Sequence, residues 1–193
     1  MWRNSAKTFG VLFLIAVGLF YYWSEQIADP GRLHGAKQIE VRSGAGAVDI
    51  VGVEGGDISF SVDGEPDNTG ATRVNIDRGH FPTRVQISGL PEGHRLTLKV
   101  PADASLSVSM SAGELRISGM KGDIESLLRS GRTQISVDDS RQFKSADASV
   151  LAGDIQAPAF KRHKGGMFRR FVWAGGGQNL LRAHVTTGQL VLR

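Results

Sequence analysis

The chain has 193 residues, 40% of them hydrophobic and 22% charged, the proportions of a folded protein with one well-formed core. It has no cysteine, which excludes disulfides, cysteine–zinc sites, thiol catalysis and a lipidated cysteine. The net charge of +4 is laid out unevenly. All 19 acids lie at or before Asp154, whereas the last 39 residues hold seven bases and no acid, giving a mildly acidic body with a basic end.

Near the N-terminus, Phe9 to Trp23 reads FGVLFLIAVGLFYYW without a charge. As a helix it spans about 22 Å, short of the ~30 Å hydrocarbon core, and Thr8, Ser24 and Ile27 can extend it. Trp2, Tyr21, Tyr22 and Trp23 suit the interfacial belts. Arg3 and Lys7 precede the stretch while Glu25 and Asp29 follow it, which places the N-terminus inside. The expectation is a single-pass transmembrane helix, with residues 1–28 as cytoplasmic tip and anchor, 29–37 as linker and 38–193 as an extracytoplasmic β-domain. The competing reading is a cleaved signal peptide, whose apolar region has about this length. Against it, the best cut, after Ala28, has Gln26 at the −3 position where a small residue belongs.

Beyond residue 36 the sequence alternates with period two, as in Ile58/Phe60/Val62, Leu96/Leu98/Val100 and Leu106/Val108/Met110, which predicts half-buried strands and no amphipathic helix. A pattern of glycine followed by alternating apolar residues recurs at Gly46-Ala-Val48-Asp-Ile50, Gly113-Glu-Leu115-Arg-Ile117, Gly153-Asp-Ile155-Gln-Ala157 and Gly188-Gln-Leu190-Val-Leu192, with a weaker copy at Gly131. Gly113, Gly122 and Gly131 are nine apart, which predicts a unit of one short strand and one tight turn. Such a strand cannot bury its apolar face alone, so neighbouring units must stack. Serines and threonines just upstream of the glycines, at Ser43, Ser111, Ser130 and Thr186, are expected to bond to turn backbone.

Val100-Pro-Ala-Asp-Ala104-Ser-Leu106-Ser-Val108 leads into Ser111-Ala-Gly113-Glu-Leu-Arg-Ile-Ser-Gly119-Met-Lys-Gly122-Asp-Ile124, and the C-terminal part reads Gly175-Gly-Gly177, a short strand, then Thr187-Gly188-Gln189-Leu190. Over residues 38–193 this resembles the DUF4097 family of adhesin-like β-repeat proteins of the bacterial envelope. The resemblance implies an all-β solenoid or roll of stacked short strands. It carries over no catalytic residue. Phe160–Trp173 (FKRHKGGMFRRFVW) departs from the pattern where a plain rung is expected.

No motif for chemistry emerges. Gly175–Gly177 lacks the Lys-Ser/Thr of a phosphate loop and reads as a turn. His34, His80, His94, His163 and His184 have no metal-ligand spacing and read as surface or turn residues. Asp63-Gly-Glu65-Pro-Asp67-Asn68 lacks the order of a calcium loop and reads as a hairpin turn, and Asp138-Asp139 reads as a turn. No catalytic, cofactor-binding or metal residue is expected. The one candidate site is the basic-aromatic segment. There Lys161, Arg162, His163, Lys164, Arg169 and Arg170 interleave with Phe160, Met167, Phe168, Phe171 and Trp173, a mixture suited to an anionic surface. The bland alternative is a solvated loop whose aromatics cap the open end of the stack.

The functional expectation is a structural or binding, adhesin-like module of the cell envelope that contacts an envelope protein or anionic polymer. The alternatives are an accessory regulator of an envelope-stress sensor and a polysaccharide-acting β-helix enzyme, which would need three acids or bases clustered on one face. Nucleic acid is not expected as a partner, given the outward orientation of the domain. An exposed final strand, Gln189–Leu192, offers a route to a homo-oligomer.

Overall fold

The computed structural model describes residues 37–63 and 72–193. The anchor at 1–28, the linker up to residue 36, His34 and the loop containing Glu65 and Asp67 lie outside the described residues. Among the described residues no helix is long and apolar enough to cross a membrane.

The all-β expectation holds. Among the described residues ten strands form one sheet: β1 (Gln38–Val53), β2 (Ser59–Asp63), β3 (Arg73–Asp77), β4 (Thr83–Ser88), β5 (Arg95–Pro101), β6 (Ser105–Ser118), β7 (Ile124–Ile135), β8 (Phe143–Ala157), β9 (Arg162–Ala174) and β10 (Asn179–Leu192). The main path runs β2-β5-β1-β6-β7-β10-β8-β9, with β4 beside the first part of β1 and β3 beside β4. The middle of the sheet is parallel: β1, β6, β7, β10 and β8 pair along nearly their whole lengths. Antiparallel strands close both ends, β2 and β3 at one and β9 at the other.

The five long parallel strands share a crease. Gly46, Gly113, Gly131, Gly188 and Gly153 are register partners in that spatial order. Their φ angles lie between +120° and +140°, a region that L side chains rarely adopt. The crease shifts the phase of the side chains. Before it, buried residues alternate, as at Leu106, Val108 and Met110. After it, burial resumes five residues later, at Leu115 and Ile117. The same step takes Val150 to Ile155 and Val185 to Leu190, so both arms of each strand turn their apolar side chains into one core.

Length explains how parallel strands are joined by short links. Only residues 119–123 separate β6 from β7, at most about 18 Å of chain, whereas a straight strand of 14 residues would run about 46 Å. The strand therefore doubles back at its crease, and its second arm acts as the return path that a parallel pair requires. The ends are tied by Leu106 N–H to Asp123 O (2.9 Å) and by Leu180 N–H to the buried Asp123 Oδ1 (2.8 Å).

Four sequence expectations are corrected here. The unit is one long creased strand, not a nine-residue strand and turn: Gly113 and Gly131 are stacked crease partners, while Gly122 lies in the link between their strands. The final strand is not exposed. β10 is inserted between β7 and β8 and pairs with both, and Leu190, Val191 and Leu192 are buried. β2 and β3, consecutive in the chain, do not form a hairpin with each other, because β2 pairs with β5 and β3 with β4. The Ser43 hydroxyl bonds to no turn backbone: it occupies an inward position and is buried without a hydrogen-bond partner.

Candidate functional site

The basic segment forms β9, an antiparallel strand and not a loop, preceded by a single 3-10 turn at Pro158–Phe160. Lys161 ends that turn in the left-handed conformation (φ 55°), with its N–H on Pro158 O at 2.9 Å. β9 crosses the crease line at Gly166, the partner of Gly153.

Register sorts the side chains of β9 by face, because residues directly opposite one another share a face of the sheet. Trp173, Phe171 and Arg169 stand opposite Ala146, Ala148 and Val150, and Lys164 and Arg162 opposite Ile155 and Ala157. All five partners point inward and four of them are fully buried. The large rings thus pair with alanines. Phe160 is buried and packs its ring 5.6 Å from Phe171 and 5.1 Å from Trp173. These three rings cap the end of the core. Arg162, Lys164 and Arg169 continue the same face into solvent.

His163 and Arg170 lie on the outer face, and the acids of β8 meet them there. Arg170 binds Asp147 with Nε at 2.8 Å and Nη2 at 2.5 Å, which raises the guanidinium pKa. His163 Nε2 lies 3.0 Å from Asp154 Oδ1. The Asp154 pKa is lowered, first by the Gln156 amide and then by His163. On the inner face the cations find no carboxylate among the described residues. Lys164 Nζ bonds the Arg170 carbonyl (2.9 Å) and Arg169 Nε the Gly165 carbonyl (2.7 Å). The structure therefore divides the six predicted residues. Lys161, Arg162, Lys164 and Arg169 keep their charge available, and His163 and Arg170 are occupied by acids of the neighbouring strand.

Three large apolar side chains on β9 are exposed: Met167 (58%), Phe168 (62%) and Val172 (64%). Phe168 also has a positive φ of 54°, which is unusual for a residue with a bulky ring.

Elsewhere, acids are interleaved with arginines. Arg95 holds Asp49 and Glu114, both at 2.6 Å, and the Glu114 pKa is lowered chiefly by that bond. Asp139 caps the 3-10 turn at Ser140–Gln142 by accepting from Arg141 N–H (2.9 Å), in keeping with a turn reading. Gly175–Gly177 is the turn from β9 to β10. Two histidines are withdrawn from solvent: His94 at the end of the Pro91–His94 turn, in keeping with a turn reading, and His184 on β10, against it. His94 is buried, and its Nδ1 lies 3.2 Å from Glu92 O. His184 contacts Ser149 Oγ through Nδ1 at 2.6 Å, its Nε2 is sequestered without a partner, and burial lowers its pKa. No local pattern signals the Ser149–His184 contact, which depends on β10 lying beside β8. It is not a hydrolytic triad, because Asp147 directs both oxygens to Arg170 and His184 Nε2 has no partner. Among the described residues no three of His, Asp or Glu are grouped to hold a metal ion.

No family model matches the chain, and no curated protein matches it. A solved structure described as a putative cell adhesion protein from Clostridium sporogenes is 12% identical, with 82% of this chain and 93% of that chain covered and a TM-score of 0.49.

Proposed function

We propose that the chain is a membrane-anchored, adhesin-like binding module of the bacterial envelope, a solenoid-like roll of creased strands presented outside the cytoplasmic membrane. Its contact surface is β9, directed at an anionic partner. One observation carries the reading: Arg162, Lys164 and Arg169 on the terminal strand, with Lys161 just before it, bind no carboxylate among the described residues, while Arg170 on the other face of that strand and Arg95 elsewhere in the sheet hold acids. An uncompensated cluster of this kind attracts anions and is expensive to keep together without one. The aromatic cap gives the strand a rigid base, so the cations are held at fixed spacing.

The test compares two sets of substitutions on an immobilised anionic polymer. Changing Lys161, Arg162, Lys164 and Arg169 to Ser should weaken retention of the full chain by at least tenfold, at ~1 kcal/mol or less per cation. Changing His163 and Arg170 to Ser should leave it nearly intact. Equal losses from the two sets would show that overall charge, not this surface, governs binding. Because the chain has no cysteine, Ser61→Cys provides a single thiol for location: a membrane-impermeant maleimide should label it without cell lysis.

A further inference from the structure

We propose that the free edge of β9 captures an extended acidic peptide segment as an added strand. The proposal rests on the reading of β9 as the contact surface and names its partner. The sheet path ends at β9, so one edge of this 13-residue strand pairs with β8 while the other has no strand partner among the described residues. Such an edge offers a row of backbone donors and acceptors to an incoming strand.

The side chains select what can pair there. A strand laid on β9 would place its own side chains directly beside those of β9, on both faces. On the inner face it would meet Arg162, Lys164 and Arg169, which matches carboxylates at alternate positions. Lys164 and Arg169 now donate to the carbonyls of Arg170 and Gly165, and a carboxylate is the stronger acceptor. On the outer face the strand would cover Val172, and at the crease Met167 and Phe168. Phe168 is costly to the fold in two ways, in backbone conformation and in exposed ring area, and a bound segment that covers the ring offsets the second.

The same charges exclude other occupants. Two β9 edges brought together would oppose like charges along the ladder, which disfavours a second copy here. A flat bilayer is a poor match as well. By register the cations lie on the inner face and Val172 on the outer one, so a plane cannot meet both.

The test uses the full chain in neutral detergent and labelled peptides of about ten residues, read by fluorescence anisotropy. A peptide alternating Glu and Val should bind. A peptide of equal charge with two valines replaced by proline cannot complete the ladder and should bind at least about tenfold more weakly. A Lys-Val peptide should not bind to the native chain. It should bind, and the Glu-Val peptide should not, when Arg162, Lys164 and Arg169 are all changed to Glu. Equal binding of the proline peptide would overturn the added strand and leave an anionic contact surface standing. Binding to phosphatidylglycerol vesicles without binding to the Glu-Val peptide would overturn it in favour of lipid. Failure of every anionic probe would overturn both this proposal and the function on which it rests.

Discussion

Gly131 lies against the carbonyl of Gly113 so closely that a Cβ on Gly131 would stand 1.9 Å from that oxygen. The contact repeats along the crease: Gly113 against Gly46 O at 1.9 Å, and Gly188 against Gly131 O and Gly153 against Gly188 O, both at 1.8 Å. Stacked backbone with positive φ leaves no route of escape for a side chain. Gly131→Ala should destabilise the domain by at least about 3 kcal/mol, read as the shift in urea midpoint. Gly44→Ala, where a Cβ meets nothing within 4 Å, should stay within about 0.5 kcal/mol. Equal effects at the two positions would contradict the crease.

Arg95 bridges Asp49 and Glu114 with two short bonds, and all three side chains are largely shielded. Arg95→Gln should cost about 1–2 kcal/mol at pH 7. The Glu114 pKa is lowered in the fold, first by Arg95, so its contribution is present above the ordinary glutamate range near pH ~4 and is lost as pH falls below it. The gap between variant and native chain should therefore narrow on acidification. Urea midpoints from pH 7 to pH 3 give the comparison, and a gap that widens would refute the assignment.

His184 is held neutral by burial, with Asp147 favouring its charged form and Arg170 and Arg182 opposing it. A histidine whose pKa is lowered by folding takes up its proton first in the unfolded chain. Stability should consequently fall as pH drops below the unfolded histidine value of about 6.5. His184→Gln should flatten that slope between pH 7 and 5. In a proton NMR titration, His184 should also protonate below the free-histidine value of about 6.5; a midpoint above it would show that burial does not control it.

Phe160 joins Phe171 and Trp173 at the end of the core and is only 6% exposed. Phe160→Ala should cost about 3–5 kcal/mol in thermal or urea unfolding. Phe168→Ser, on the same segment but 62% exposed, should cost no stability, so it serves for comparison of binding alone. A small loss at Phe160 would mean that the rings decorate the end without sealing it.

The strands themselves were legible because alternation survives on both sides of each crease: Leu106/Val108/Met110 and Leu115/Ile117 each read as half-buried strand. The shift between them was not legible. Gly113 looks like any turn glycine, and nothing local says that the chain continues as strand beyond it. The equal spacing of Gly113, Gly122 and Gly131 misled for the same reason, since a crease and a link carry the same residue type. Six basic positions were visible as composition. Their division into held and available cations required the register with Ala157, Ile155 and Val150 on one face and with Asp147 and Asp154 in reach of the other. The place of β10 could not be read at all, because its Gly188-Gln-Leu190 repeat is equivalent to those of strands on either side.

The insertion of β10 has a consequence for the order of assembly. β7 and β8 follow one another in the chain, yet the slot between them stays empty until residues 179–192 arrive. A polypeptide emerging from its N-terminus onward would expose two unsatisfied ladders for as long as that segment lags behind. Completion of the sheet is thus a late, single event, and chains interrupted before it present the open edges by which quality-control proteases and aggregation select their targets.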